Sequence, residues 1–192
     1  MAEAATRETG PAEGARFDGI AVIEAAAPCG MIVLRGDLAA PEMAAAVQAG
    51  TGLGVPGTRE MLHEGAASVT WMAPDELLVM VAAAELSGRR AAMQAAAAGG
   101  FVTLADVSDA RARFHIRGPR AREVLMKLCP VDLAPAAFGP GQIRRTRAAQ
   151  IAVALWMTDA DSFDLVCFRS VAGYAFALLC TAAAPGGEVF DV

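Results

Sequence analysis

Short strands arriving in pairs, with single helices between the pairs, predict an α+β fold: mostly antiparallel sheets with helices packed on them. Three stretches carry that prediction. Ser68–Val81 has two apolar runs around Ala73-Pro74-Asp75-Glu76, and Pro followed by Asp is good turn chemistry, so it reads as a hairpin. Arg111–Arg117 alternates, with Ala112, Phe114 and Ile116 on one face and Arg111, Arg113, His115 and Arg117 on the other. That is the period of a half-buried strand with a strongly basic outer face. Directly after it, Ala121, Val124, Leu125 and Leu128 fall at helical spacing and make one buried stripe.

The remaining elements follow in chain order. Residues 1–16 read as a flexible tail rich in Ala, Glu, Gly and Pro. Strands are expected near Ile20–Glu24 and Met31–Arg35, joined by a turn at Pro28 and Gly30. Asp37 is placed to cap a helix running to Ala49, with Pro41 in its first turn. Gly50–Gly57 stops that helix and opens a loop. Ser87 is placed to cap a second helix, ended by Gly99-Gly100. A strand at Phe101–Asp106 precedes the basic strand, and Gly118-Pro119 starts a helix with proline at its first position. After a loop at Asp132–Pro140 come strands near Ile143–Arg147, Ile151–Met157 and Phe163–Phe168, then a helix from Ser170 to Ala183. Residues 17–192 are read as one domain. Its halves, about 17–100 and 101–192, share element order without a convincing sequence repeat.

Composition narrows the function classes. Over 192 residues, 55% are hydrophobic and 19% charged, which excludes a mostly disordered chain. The net charge is -5, whereas a dedicated nucleic-acid binder is usually basic. Ten of the 16 basic residues nevertheless lie between Arg111 and Arg169. Cys29, Cys129, Cys167 and Cys180 stand singly among apolar neighbours and read as buried free thiols of a reducing cytoplasm. The N-terminus has no apolar signal core. The apolar stretch Val171–Ala184 is too short to span a bilayer, so no membrane partner is expected.

Candidate chemistry is thin. His63 and His115 lack metal-ligand spacing, and His115 is flanked by arginines that repel a cation. No GxSxG elbow or activated cysteine is present. Gly52, Gly54 and Gly57 match GxGxxG, but a helix precedes them where a dinucleotide site needs a strand. Asp106 and Asp109 are a candidate acid pair, and the plainer reading is a turn in which Asp and Ser side chains bond the backbone. The basic face stays open between a protein or anion contact, which suits the planar arginine fork, and a solvated face paired with surplus acids.

Ala105–Leu133 resembles the aminomethyltransferase (glycine-cleavage T-protein) superfamily. There a D-x-S motif leads into a strand, a Gly before a helix, and an Asp-Leu pair. Asp106, Ser108, Gly118, Leu125, Asp132 and Leu133 occupy those positions. Trp71–Met80 and Gly141–Leu179 are similar to sarcosine oxidase gamma subunits, through the W-x-x-P-D-E segment, Arg145-Thr146, Trp156, Phe163 and Arg169-Ser170. The fold implied is that of a T-protein folate-binding domain. The function implied is a non-catalytic, structural subunit of a cytoplasmic heterotetramer that oxidises sarcosine to glycine. That complex forms hydrogen peroxide and passes the one-carbon unit to tetrahydrofolate.

The resemblance implies alpha, beta and delta partners, with alpha in direct contact. It implies no cofactor in this chain, and FAD, FMN, NAD and tetrahydrofolate in the other subunits. Interface residues are expected at Trp71, Asp75, Glu76, Arg111, Arg113, His115, Arg117 and Arg169. Folate-using T-proteins carry an acidic residue where Ala149–Ala154 falls here, with Val153 and Ala154 in place of the acids. An apolar strand there has no carboxylate to assist folate chemistry. The alternative is a free-standing folate-binding, aminomethyltransferase-like protein.

Overall fold

A computed structural model describes residues 13–189; most of the predicted tail lies outside the described residues. The elements are β1 (Arg16–Asp18), β2 (Val22–Ala25), β3 (Gly30–Arg35), α1 (Pro41–Thr51), β4 (Met61–Glu64), β5 (Ala67–Ala73), β6 (Glu76–Val81) and α2 (Leu86–Ala96). They continue with β7 (Thr103–Asp106), β8 (Arg111–Arg117), α3 (Ala121–Met126), β9 (Ile143–Ala148), β10 (Ile151–Asp159), β11 (Ser162–Phe168) and α4 (Ala172–Ala182). All strand pairings are antiparallel.

Two sheets result, ordered β1-β2-β8-β11-β10-β9 and β4-β5-β6-β3-β7. Their wiring is the same. A first strand (β3 or β8) leads to a helix, then to a three-strand meander, then to a second helix, and the meander's last strand pairs with the first strand. The strand just ahead of each unit crosses over: β2 borders β8, and β7 borders β3. The halves therefore exchange a strand.

Alternation along the strands builds four layers. Ile32, Leu34, Val69, Leu77, Val79 and Val81 pack against Met43, Ala46, Val47 and Met93 of α1 and α2. Phe114, Ile116, Val153, Leu155, Phe163 and Leu165 pack against Val124, Leu125, Ala175 and Leu179 of α3 and α4. The opposite faces of the two sheets meet through Met31, Met61, Met72, Leu78, Met80, Ile143, Ala154, Trp156 and Val166. Each large side chain removed from water here contributes roughly 1.5–3 kcal/mol.

The helix pairs are secured differently. On the first, Gly50 lets α1 approach Met93 of α2; a Cβ there would sit 2.3 Å from the Met93 Cγ. On the second, Lys127 Nζ donates to the Ala182 carbonyl at 3.0 Å and to Gly187 at 2.6 Å, clamping the α4 C-terminus. Glu123 accepts from the Val189 N–H at 2.7 Å beside Arg120, which holds its carboxyl below the usual range.

The predicted α+β fold is present, with local corrections. β1 and β4 were not expected; both are short edge strands formed by pairing with a neighbour rather than by alternation of their own. Arg16, placed in the tail, opens β1. Helix α1 is capped at Ala40, because the Asp37 carboxylate accepts from Ala39 N–H in a turn ahead of it. Ser87 lies inside α2, which begins at Leu86. Pro119 precedes the cap residue Arg120 instead of filling the first helical position. Gly52 ends α1 in the left-handed conformation, φ 78, in line with the helix-stop reading of the glycine run.

Candidate partner-binding face

The basic face of β8 looks inward. Strand register places Arg113 opposite Val166, and His115 opposite Asp164, on the face of the six-stranded sheet that meets the other sheet. Arg113 and His115 are therefore mostly covered, with side-chain exposures of 23% and 17%. This corrects the expected outer face: alternation separates two faces but does not say which one a second sheet covers.

Asp164 organises these charges. Its Oδ1 lies 2.6 Å from His115 Nδ1 and its Oδ2 lies 3.6 Å from Arg113 Nη1. A buried carboxylate is retained when paired and hydrogen-bonded in this way. The sequence contained the signal: Asp164 is a lone acid inside the apolar run of β11.

The other predicted interface residues divide. Glu76 is buried and paired with Arg35 at 2.5 Å, so it braces β3 against β6. Asp75 is exposed at the hairpin turn, where its carbonyl accepts from Gly36 N–H. Trp71 is half-buried and lines a cleft of about 670 Å³ with Arg59, Pro74, Asp132, Arg144 and Arg145. Arg117 is exposed at the end of β8. Arg169 donates to the Asp109 carbonyl at 2.8 Å, fixing the start of α4 to the β7–β8 turn. Arg111 is half-buried beneath Phe168, its guanidinium carbon 4.5 Å from the ring centroid. The structure thus brings Arg111, Arg113 and His115 together and leaves Trp71 and Asp75 on a separate hairpin.

Two flanking contributors lie outside the predicted interface set. Arg145 donates to the Met72 carbonyl at 2.8 Å, joining the two sheets. Phe168 is half exposed and forms one wall beside Arg111.

The D-x-S motif is a turn. Asp106 Oδ1 accepts from the Ser108 N–H at 3.0 Å and hydroxyl at 2.6 Å, which lowers its carboxyl from the ordinary value. Ser108 Oγ in turn accepts from Met31 N–H at 2.9 Å, tying the two halves. A carboxylate held this way is a brace rather than a base. Val153 and Ala154 are buried, one under the helices and one between the sheets. His63 is exposed on β4. Cys129 and Cys167 are buried, their thiols pushed up to about 12 and about 11 by burial; Cys29 and Cys180 are half-buried, a departure from the expected full burial. Among the described residues, no group of three or more His, Cys, Asp or Glu gathers to hold a metal, and no helix is long and apolar enough to cross a membrane.

Comparison with known proteins gives one direction. The model of the sarcosine oxidase, gamma subunit family matches residues 35–185. A sarcosine oxidase subunit gamma from Arthrobacter sp is 39% identical over 62% of this chain and 59% of its own length. Another, from Corynebacterium sp. (strain U-96), is 35% identical over 64% of this chain and 60% of its own. The chain thus aligns with about three-fifths of the length of these curated relatives. Among solved structures, a chain of the heterotetrameric sarcosine oxidase from Corynebacterium sp. U-96, in complex with pyrrole 2-carboxylate, superposes with TM-score 0.80. It shares 28% identity over 94% of this chain and 92% of that one. The glycine cleavage system aminomethyltransferase T from Bartonella henselae shares the fold at TM-score 0.60 and 14% identity, over 82% of this chain and 45% of that one.

Proposed function

This chain belongs to the sarcosine oxidase gamma subunit family, and from that premise we propose that it is an assembly subunit of a heterotetrameric sarcosine oxidase. The observation that carries the reading is the near full-length superposition on a chain of such an enzyme, 94% of one and 92% of the other. The complex would oxidise sarcosine to glycine with release of hydrogen peroxide, and pass the one-carbon unit to tetrahydrofolate. FAD, FMN, NAD and tetrahydrofolate would be held by the alpha, beta and delta partners, with alpha in direct contact, in the cytoplasm.

A structural role suits the chemistry of these side chains. The acids nearest to catalytic geometry, Asp106 and Asp164, are committed to Ser108 and to Arg113 and His115. Among the proposed interface residues, Trp71, Asp75, Arg111 and Arg117 have surface to offer a partner. Glu76, Arg113, His115 and Arg169 act from within, by holding the presenting strands.

Calorimetric titration of the isolated chain with tetrahydrofolate tests the division of labour. No heat of binding is expected. Saturable binding at one site would contradict it and favour a free-standing folate-binding protein. In parallel, co-expression of the alpha, beta and delta subunits without this chain should lower the yield of assembled flavoprotein.

A further inference from the structure

The six-stranded sheet extends beyond the area its partner sheet covers, and the part beyond it is rich in positive charge. Register places Arg111 beside Phe168 and Ala152 beside Arg147; one residue pair further in, Ala154 lies between Val166 and Arg145. All lie on the sheet face that elsewhere packs against the other sheet.

The result is a trough of about 340 Å³. Its accessible floor is Ala152, with Ala154 and Val166 closing the inner end where the sheets meet; one wall is Arg111 under Phe168 and the other is Arg145 and Arg147. β8 and β9 stand three strand spacings apart, about 14 Å at the usual separation. That width admits one extended chain. Ala152, exposed between arginine-bearing strands, leaves the floor open.

The three guanidinium groups make no ion pair among the described residues. Arg145 donates to a backbone carbonyl and Arg147 to the Gln150 amide, and the Arg111 Nε is buried without a hydrogen-bond partner. Burial pulls the Arg111 guanidinium down from its ordinary value; the Glu76 carboxylate opposes this and the Arg145 charge adds to it. This local excess sits on a chain of net charge -5. Carboxylates supplied from outside would complete it, since the arginine fork binds them with two parallel hydrogen bonds.

We propose that this trough is the docking site for an extended acidic segment of a partner chain, with small side chains on the alanine floor and carboxylates reaching both arginine walls. The proposal rests on the subunit reading and names the chemistry of the partner it requires.

Arg147→Glu reverses one wall, and Ala152→Trp fills the floor; both positions are exposed, so the fold should be retained, checked by circular dichroism and thermal melting. Arg90→Glu, an exposed position on α2, is the control. Each variant is tagged, co-expressed with the alpha, beta and delta subunits, and the recovered partner protein is quantified. Both trough variants should recover about tenfold less partner than the unsubstituted chain, as charge reversal and steric filling do at buried contacts. The control should match it.

If both variants recover partner normally, the trough is not occupied and the subunit reading stands. Loss with Ala152→Trp alone overturns the acidic character of the segment. Loss with Arg147→Glu alone overturns its seat on the floor. Failure of the unsubstituted chain to recover any partner sinks the subunit reading and this proposal with it.

Discussion

The two halves share one wiring but meet with unlike faces. The five-stranded sheet presents Met31, Met61, Met72, Leu78 and Met80, a pliable surface whose buried acid, Glu76, is already paired with Arg35. The six-stranded sheet presents Trp156, Ala154 and Val166 beside Arg111, Arg113, His115, Asp164 and Arg145. Methionines accommodate whatever opposes them; a buried carboxylate held between an arginine and a histidine does not. The polar face therefore sets how the sheets are placed, and its overhang is where charge is left for a partner.

The largest test of this asymmetry is Asp164→Ala. It leaves Arg113 and His115 covered and without their acid, and should cost about 3–5 kcal/mol in denaturant unfolding. A cost below about 1 kcal/mol would mean the cluster is not structural. Next comes Lys127→Ala, which releases two carbonyls of the α4 end and the following tail. It should cost about 2 kcal/mol and loosen the C-terminal residues in hydrogen exchange, with no effect on α1 and α2, which are joined by Gly50 against Met93.

The pliable face should tolerate change. Met80→Leu conserves volume and should cost less than about 1.5 kcal/mol. A larger loss would show that the methionine face is as exacting as the polar one. The smallest effect is a pH dependence. Burial holds the Cys129 and Cys167 thiols protonated, with folded values of about 12 and about 11 against an ordinary 9.0. A raised value in the folded state means the contribution is complete below pH 9.0 and is lost as pH rises toward 11. By pH 10 the loss should be about 1 kcal/mol for each thiol. Cys129→Ala should flatten that decline.

Much of the fold was legible in the sequence because it is written locally. The Pro74-Asp75 turn, the alternation of Arg111–Arg117 and the glycines after α1 each act on their own neighbours. The exchange of β2 and β7 was not legible: a strand's own residues do not say which sheet receives it. The same limit hid the cover over Arg113 and His115, since a second sheet built from residues 30–106 leaves no mark in a seven-residue pattern. Asp106 was readable as a turn because Ser108 lies two residues away. Asp164, which pairs with His115 49 residues earlier, was readable only as an acid out of place.

The most direct test of the subunit reading is co-expression of this chain, carrying an affinity tag, with the alpha, beta and delta subunits from the same genome. A yellow, flavin-containing complex retained on the tag, oxidising sarcosine with release of hydrogen peroxide, is the expected result. A colourless single chain, eluting without partners while the other three subunits fold and bind flavin on their own, would contradict it.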